Sequence, residues 1–79
     1  MVTYEVVMTS WPESDTNPEN AMSPVIGTGI CKEATLEEAV KAVEAETHRK
    51  VINSRYRDSE WPWELVIQTD NGYTYDVSF

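Results

Sequence analysis

The chain has 79 residues, with a single cysteine and a single histidine, and its 14 acidic against 6 basic side chains give a net charge of −8. So short a chain supports one domain, residues 1–79, with one layer of sheet against one or two helices, which excludes a deep substrate cavity. Cys31 has no partner for an internal disulfide, Cys31 and His48 alone cannot assemble a zinc site, and the acid excess repels nucleic acid and anionic membrane.

Val2 to Thr9 alternates, with Val2, Tyr4, Val6 and Met8 on one side and Thr3, Glu5, Val7 and Thr9 on the other, which predicts a half-buried strand ended by Pro12. A long acidic loop follows over about residues 10–24. It holds Pro12, Pro18 and Pro24 with Glu13, Asp15 and Glu19, and carries no positive charge. Loops of this length inside small domains are either functional or unstructured, and Trp11 and Met22 at its edges are candidate anchors. A second strand is predicted for Val25 to Lys32, where Gly27 and Gly29 bare one face, so that a bulge or a closely packed neighbour is expected there.

Thr35 opens the best-signalled element. Its hydroxyl is placed to accept from the Glu38 amide, with Glu38 reaching back to the Thr35 amide as a capping box. Leu36, Ala39, Val40, Val43, Thr47 and Val51 keep helical spacing, which predicts a helix over about 35–54. Glu37 with Lys41, and Glu46 with Lys50, stand at favourable i,i+4 spacing, and His48, Arg49 and Lys50 complement the dipole near the end. Tyr56 to Pro62 reads as a connector, and residues 63–79 read as a hairpin. A two-residue Asn71-Gly72 turn would place the apolar sets Trp63, Leu65, Ile67 and Tyr73, Tyr75, Val77, Phe79 on opposite faces. A three-residue loop of Asp70, Asn71 and Gly72 pairs Ile67 with Tyr75 and Leu65 with Val77, and buries both sets together. Register follows the buried face, so the longer loop is predicted, with Gly72 left-handed. The fold class expected is α+β, a four-stranded antiparallel sheet with one helix on one face, in the order β-β-α-β-β.

No residues assemble a catalytic or metal-binding constellation. On the predicted helix His48 stands beside Glu44 and faces solvent, and Cys31 in the second strand reads as a small buried thiol. The stretch Gly29-Ile30-Cys31 to Ala34-Thr35-Leu36-Glu37-Glu38-Ala39 resembles the sheet-to-helix corner of HicB-type antitoxin domains, over about a seventh of the chain. The glycine-to-threonine spacing differs from that family, and no function is carried over. No stretch reaches the roughly 20 apolar residues of a membrane span. The opening Met1-Val2-Thr3-Tyr4-Glu5 lacks a signal peptide's basic start, so a cytoplasmic protein is expected.

The function expected is a non-catalytic binding module or inhibitor, without cofactor, that occupies a basic and nucleic-acid-binding surface of a partner protein. Small acidic inhibitors of the phage anti-defence type (anti-CRISPR and anti-restriction factors) and nuclease immunity proteins share this physical character, an analogy of charge and size rather than of sequence. Glu13, Asp15, Glu19, Glu37 and Glu44 are the candidate partner-binding carboxylates. Trp61 in Trp61-Pro62-Trp63 is a candidate apolar anchor, with Trp63 assigned to the core. The alternative is an accessory or ligand-binding domain whose acidity serves solubility. An uncovered edge strand would permit a dimer.

Overall fold

In a computed structural model covering residues 1–79, the chain forms β1 (Val2–Ser10), β2 (Val25–Cys31), α1 (Leu36–Thr47), β3 (Val51–Asp58), β4 (Trp61–Thr69) and β5 (Thr74–Ser78). A 3-10 helix, Pro18–Met22, lies between β1 and β2. The class is α+β, and the sheet is antiparallel throughout, in the order β2-β1-β5-β4-β3. It has five strands, not four.

The extra strand comes from residues expected to end the helix and connect it onward. His48 stops α1 early: it takes a left-handed φ of 55°, and its amide donates to the Glu44 carbonyl at 2.9 Å. Thr47 turns its hydroxyl back onto the Val43 carbonyl at 2.7 Å. Beyond that cap, β-branched Val51 and Ile52 fit extended backbone better than another helical turn. The Glu44 carboxylate accepts from the Val51 amide at 3.2 Å, and Asp70 N–H donates to the Lys50 carbonyl at 2.9 Å, so the chain is captured as a strand at once. Val51, assigned by spacing to the helix stripe, packs on the core from β3 instead.

At its other end α1 starts as expected. Thr35 is extended, and its Oγ1 accepts from the Glu38 amide at 3.2 Å. Only that half of the capping box forms, because the Thr35 amide donates to the Glu33 carbonyl. The predicted ion pairs change with the helix. Lys41 lies 3.9 Å from Glu38, one residue closer than Glu37, and Lys50 falls beyond the helix and out of reach of an i,i+4 pair.

The hairpin register is the one predicted. Ile67 faces Tyr75 and Leu65 faces Val77. Thr69 N–H donates to the Tyr73 carbonyl at 3.1 Å, Phe79 N–H donates to the Trp63 carbonyl at 2.9 Å, and Gly72 has φ +87°. With Val6 and Met8 of β1, these strands present Leu65, Ile67, Tyr75 and Val77 to Ala39, Ala42 and Val43 of α1, all buried. Each fully buried Leu, Ile or Val contributes about 1.5–3 kcal/mol, so this single layer carries most of the apolar stabilisation. Tyr4, Leu36 and Val40 pack on its margin, half-buried rather than central.

The two glycines of β2 are explained by close neighbours. Gly29 lies opposite Tyr4, whose ring occupies the space a Cβ would take, and the Glu46 carboxyl occupies the corresponding space at Gly27. A register irregularity also falls here, between Val6 and Val7 of β1. Cys31 is buried, with its thiol donating to the Glu33 carbonyl at 3.2 Å.

Candidate partner-binding surface

Helix α1 links opposite corners of the sheet. The chain leaves β2 at Cys31, beside Val2, and enters β3 at Val51, beside Thr69 at the opposite end. The far end of the β3–β4 hairpin therefore lies outside the helix's path, although alternation turns Tyr56 and Trp63 toward the helix side with Leu65. Tyr56, Trp61 and Trp63 are 43, 53 and 45 % exposed there. Trp63 is thus not a core residue, as its place on the apolar face suggested; the helix that would cover it runs elsewhere.

Local chemistry holds this corner. Glu60 N–H donates to Asp58 Oδ1 at 2.9 Å in the turn, and Asp58 pairs with Trp61. Pro62 has no amide to give to a ladder, and the register shifts between Tyr56 and Asp58, so that β4 uses more residues than β3 to reach the turn. On the uncovered face of the sheet, Arg57 ties the hairpin to β5: its Nε lies 3.3 Å from Glu64 and its Nη2 3.2 Å from Asp76.

The acidic loop is built rather than loose. Asp15 N–H donates to the Pro12 carbonyl at 3.0 Å, and Asp15 accepts from the Asn17 amide at 3.2 Å and from the Tyr73 hydroxyl at 2.6 Å. Asn17 caps the 3-10 helix through the Glu19 amide at 3.0 Å, and Asn20 is buried. Trp11 packs on the core as one anchor; Met22, expected as the other, is exposed. The Tyr73 hydrogen bond, then that from Asn17, holds the Asp15 carboxyl below its ordinary range. The same bond, with partial burial, pushes the Tyr73 phenol up, and burial raises Tyr75.

The six sequence-derived site residues do not form one patch. Glu13 and Glu19 are exposed on the loop, and Glu37 is exposed in the first turn of α1. Asp15 and Glu44 are engaged internally, with Tyr73 and with the Val51 amide. Trp61 opens β4, three strand intervals from β2, or about 14 Å at usual spacing. Tyr56 and Trp63 were missed as surface residues. A longer helix and a connector left no strand for Tyr56 to occupy, and Trp63 shares the apolar face of Leu65 and Ile67, which the helix was expected to cover.

Charge is also segregated. Residues 49–57 carry Arg49, Lys50, Arg55 and Arg57 and no acid, so the remaining residues set two lysines against all fourteen carboxylates. No three His, Cys, Asp or Glu side chains gather in a metal-holding arrangement, and no helix is long and apolar enough to cross a membrane. No protein-family model, no curated protein and no solved structure matches this chain.

Proposed function

We propose that this protein is a non-catalytic binding module that engages a basic surface of a partner protein, anchored by the aromatic corner of the β3–β4 hairpin. The observation that carries this reading is the exposure of Tyr56, Trp61 and Trp63 together at one end of the sheet. Large aromatics desolvated by a partner dominate interface energetics, whereas scattered exposed apolar residues need no explanation. Asp58 and Glu60 flank this corner, and Glu13, Glu19 and Glu37 are exposed without an ion-pair partner. Exposed carboxylates of this kind steer a basic partner into encounter and lose strength as salt screens them. A surface that normally holds phosphates, such as that of a nucleic-acid-binding protein or nuclease, has the required complementary charge. Inhibitors of the anti-defence or nuclease-immunity type act on surfaces of this sort, and this protein is proposed to act likewise.

The experiment is affinity capture from a host lysate, at low and moderate salt, with wild type, Trp61→Ala/Trp63→Ala, and Glu13→Lys/Glu19→Lys/Glu37→Lys. A discrete basic protein retained by wild type, lost from the tryptophan variant and weakened by charge reversal, supports the reading. Retention of the same proteins by all three forms would contradict it and favour acidity that serves solubility alone.

A further inference from the structure

The two edges of the sheet are protected very differently. β3 carries Arg55, Arg57 and Asp58 and has register irregularities near both ends, devices that discourage another strand from adding. β2, the opposite edge, has no charged residue and no proline from Val25 to Cys31, and its outer side makes no backbone hydrogen bond to the rest of the chain. Val25 and Ile30 on the uncovered face are 53 and 63 % exposed. A shallow depression of about 510 Å³ lies beside Ile30, lined by Thr3, Glu5 and Thr28 among others.

Carboxylates flank this neutral edge on both faces. Glu5 is opposite Thr28 on the uncovered face, the Glu46 carboxyl lies over Gly27 on the helix face, and Glu33 follows the strand's end. None of the three forms an ion pair. We propose that β2 is the docking edge for an extended basic segment of a partner protein, which adds to the sheet as a sixth strand. Backbone hydrogen bonds to β2 would supply affinity, and alternate side chains would supply selectivity. Apolar residues of the incoming strand cover Val25 and Ile30, while its lysines or arginines reach Glu5 and Glu46. A second copy of this chain is disfavoured at the same edge, because β2-to-β2 pairing would bring two such sets of unpaired carboxylates together. This inference takes the basic character of the partner from the proposed function but places contact at the edge remote from the aromatic corner.

The test uses the isotopically labelled full chain and a short capped peptide of alternating valine and lysine, kept at concentrations where it is monomeric. Amide shifts and hydrogen exchange are followed along the whole sequence. Perturbation and slowed exchange at residues 25–31 support the proposal if they weaken with salt and are absent with the matching valine–glutamate peptide. Ile30→Lys, at an exposed position, should weaken the peptide at least about tenfold with an unchanged melting temperature, by placing a repelling charge on the edge. Perturbation confined to β3, or equal binding of the acidic peptide, would overturn strand addition by a basic segment. Concentration-dependent protection of β2 without peptide would overturn it in favour of self-pairing. If the peptide leaves β2 untouched while a captured basic protein still depends on Trp61 and Trp63, strand addition falls and the proposed function stands. If the peptide docks on β2 and no basic protein is captured, the reverse holds.

Discussion

Replacing Gly29 by alanine probes how the edge strand is fastened to the sheet. A Cβ built there lies 2.7 Å from Tyr4 Cε2, with the ring's Cζ and hydroxyl closer still. Carbon atoms are at ease near 3.5–4.0 Å, so the ring must move. The half-buried Tyr4 ring packs against the core, and overpacking of this kind costs about 1–3 kcal/mol. Alanine regains about 0.5–1 kcal/mol over glycine in a strand, leaving a net loss of up to about 2.5 kcal/mol. In a domain of this size each kcal/mol shifts melting by roughly 4–8 °C, so Gly29→Ala should lower the melting temperature by up to about 20 °C. The diagnostic is a double-mutant cycle with Tyr4→Ala, read by thermal and urea unfolding. Without the ring, Gly29→Ala should become neutral or stabilising, giving a coupling of about 1–3 kcal/mol. Gly27→Ala serves as comparison: the atoms in its way belong to the flexible end of Glu46, and swinging that carboxylate into solvent should cost little. Equal destabilisation by Gly29→Ala with and without the Tyr4 ring would refute the close-approach explanation.

Further predictions concern the helix start, the hairpin and the loop. Thr35→Ala should cost about 1 kcal/mol through loss of the bond to the Glu38 amide, visible in the denaturation midpoint; an unchanged midpoint would show that this cap contributes nothing. Gly72→Val should destabilise by about 1–2 kcal/mol, because a β-branched residue resists the observed φ of +87°, and a neutral result would contradict the bulged turn. The Asp15–Tyr73 bond should make stability fall at both pH extremes. Asp15 titrates below its ordinary value of 3.8 when folded, so its contribution is complete above that value and is lost as pH falls through the lower folded one. Tyr73 titrates above 10.0 when folded, so its contribution is complete below that value and is lost as pH rises through the raised one. Tyr73→Phe should flatten the acid limb of a melting-temperature profile and reduce the alkaline limb, which buried Tyr75 still shapes; an unaltered profile would contradict the latch.

What was legible in the sequence depended on how strongly a residue's burial was constrained. The hairpin register was readable because only one loop length buries Leu65, Ile67, Tyr75 and Val77 together, and all four are buried in that register. The Thr35 cap was readable because its spacing to Glu38 has a specific hydrogen-bonding consequence. β3 was not readable. It is an edge strand with little buried, so Val51 to Asp58 lacks a clean alternation, while Val51 continues the helical stripe by chance of spacing. The stop at His48 rests on a left-handed non-glycine residue, for which composition offers no signal. That missed strand bears on the candidate site as well. Without β3 there was no hairpin corner to gather Tyr56 with the two tryptophans, and the roles of Asp15 and Glu44 in holding the loop and the helix end depend on partners far away in sequence.

The central claim, that an aromatic corner on an acidic chain binds a basic partner, is tested most directly by titrating the captured partner into wild type and Trp61→Ala/Trp63→Ala. Calorimetry at low and moderate salt would read both terms at once. Removing two hot-spot indoles should cost at least about 2 kcal/mol at either salt, while the affinity of both proteins falls as salt rises. Equal affinity of the two proteins, or affinity indifferent to salt, would contradict the account.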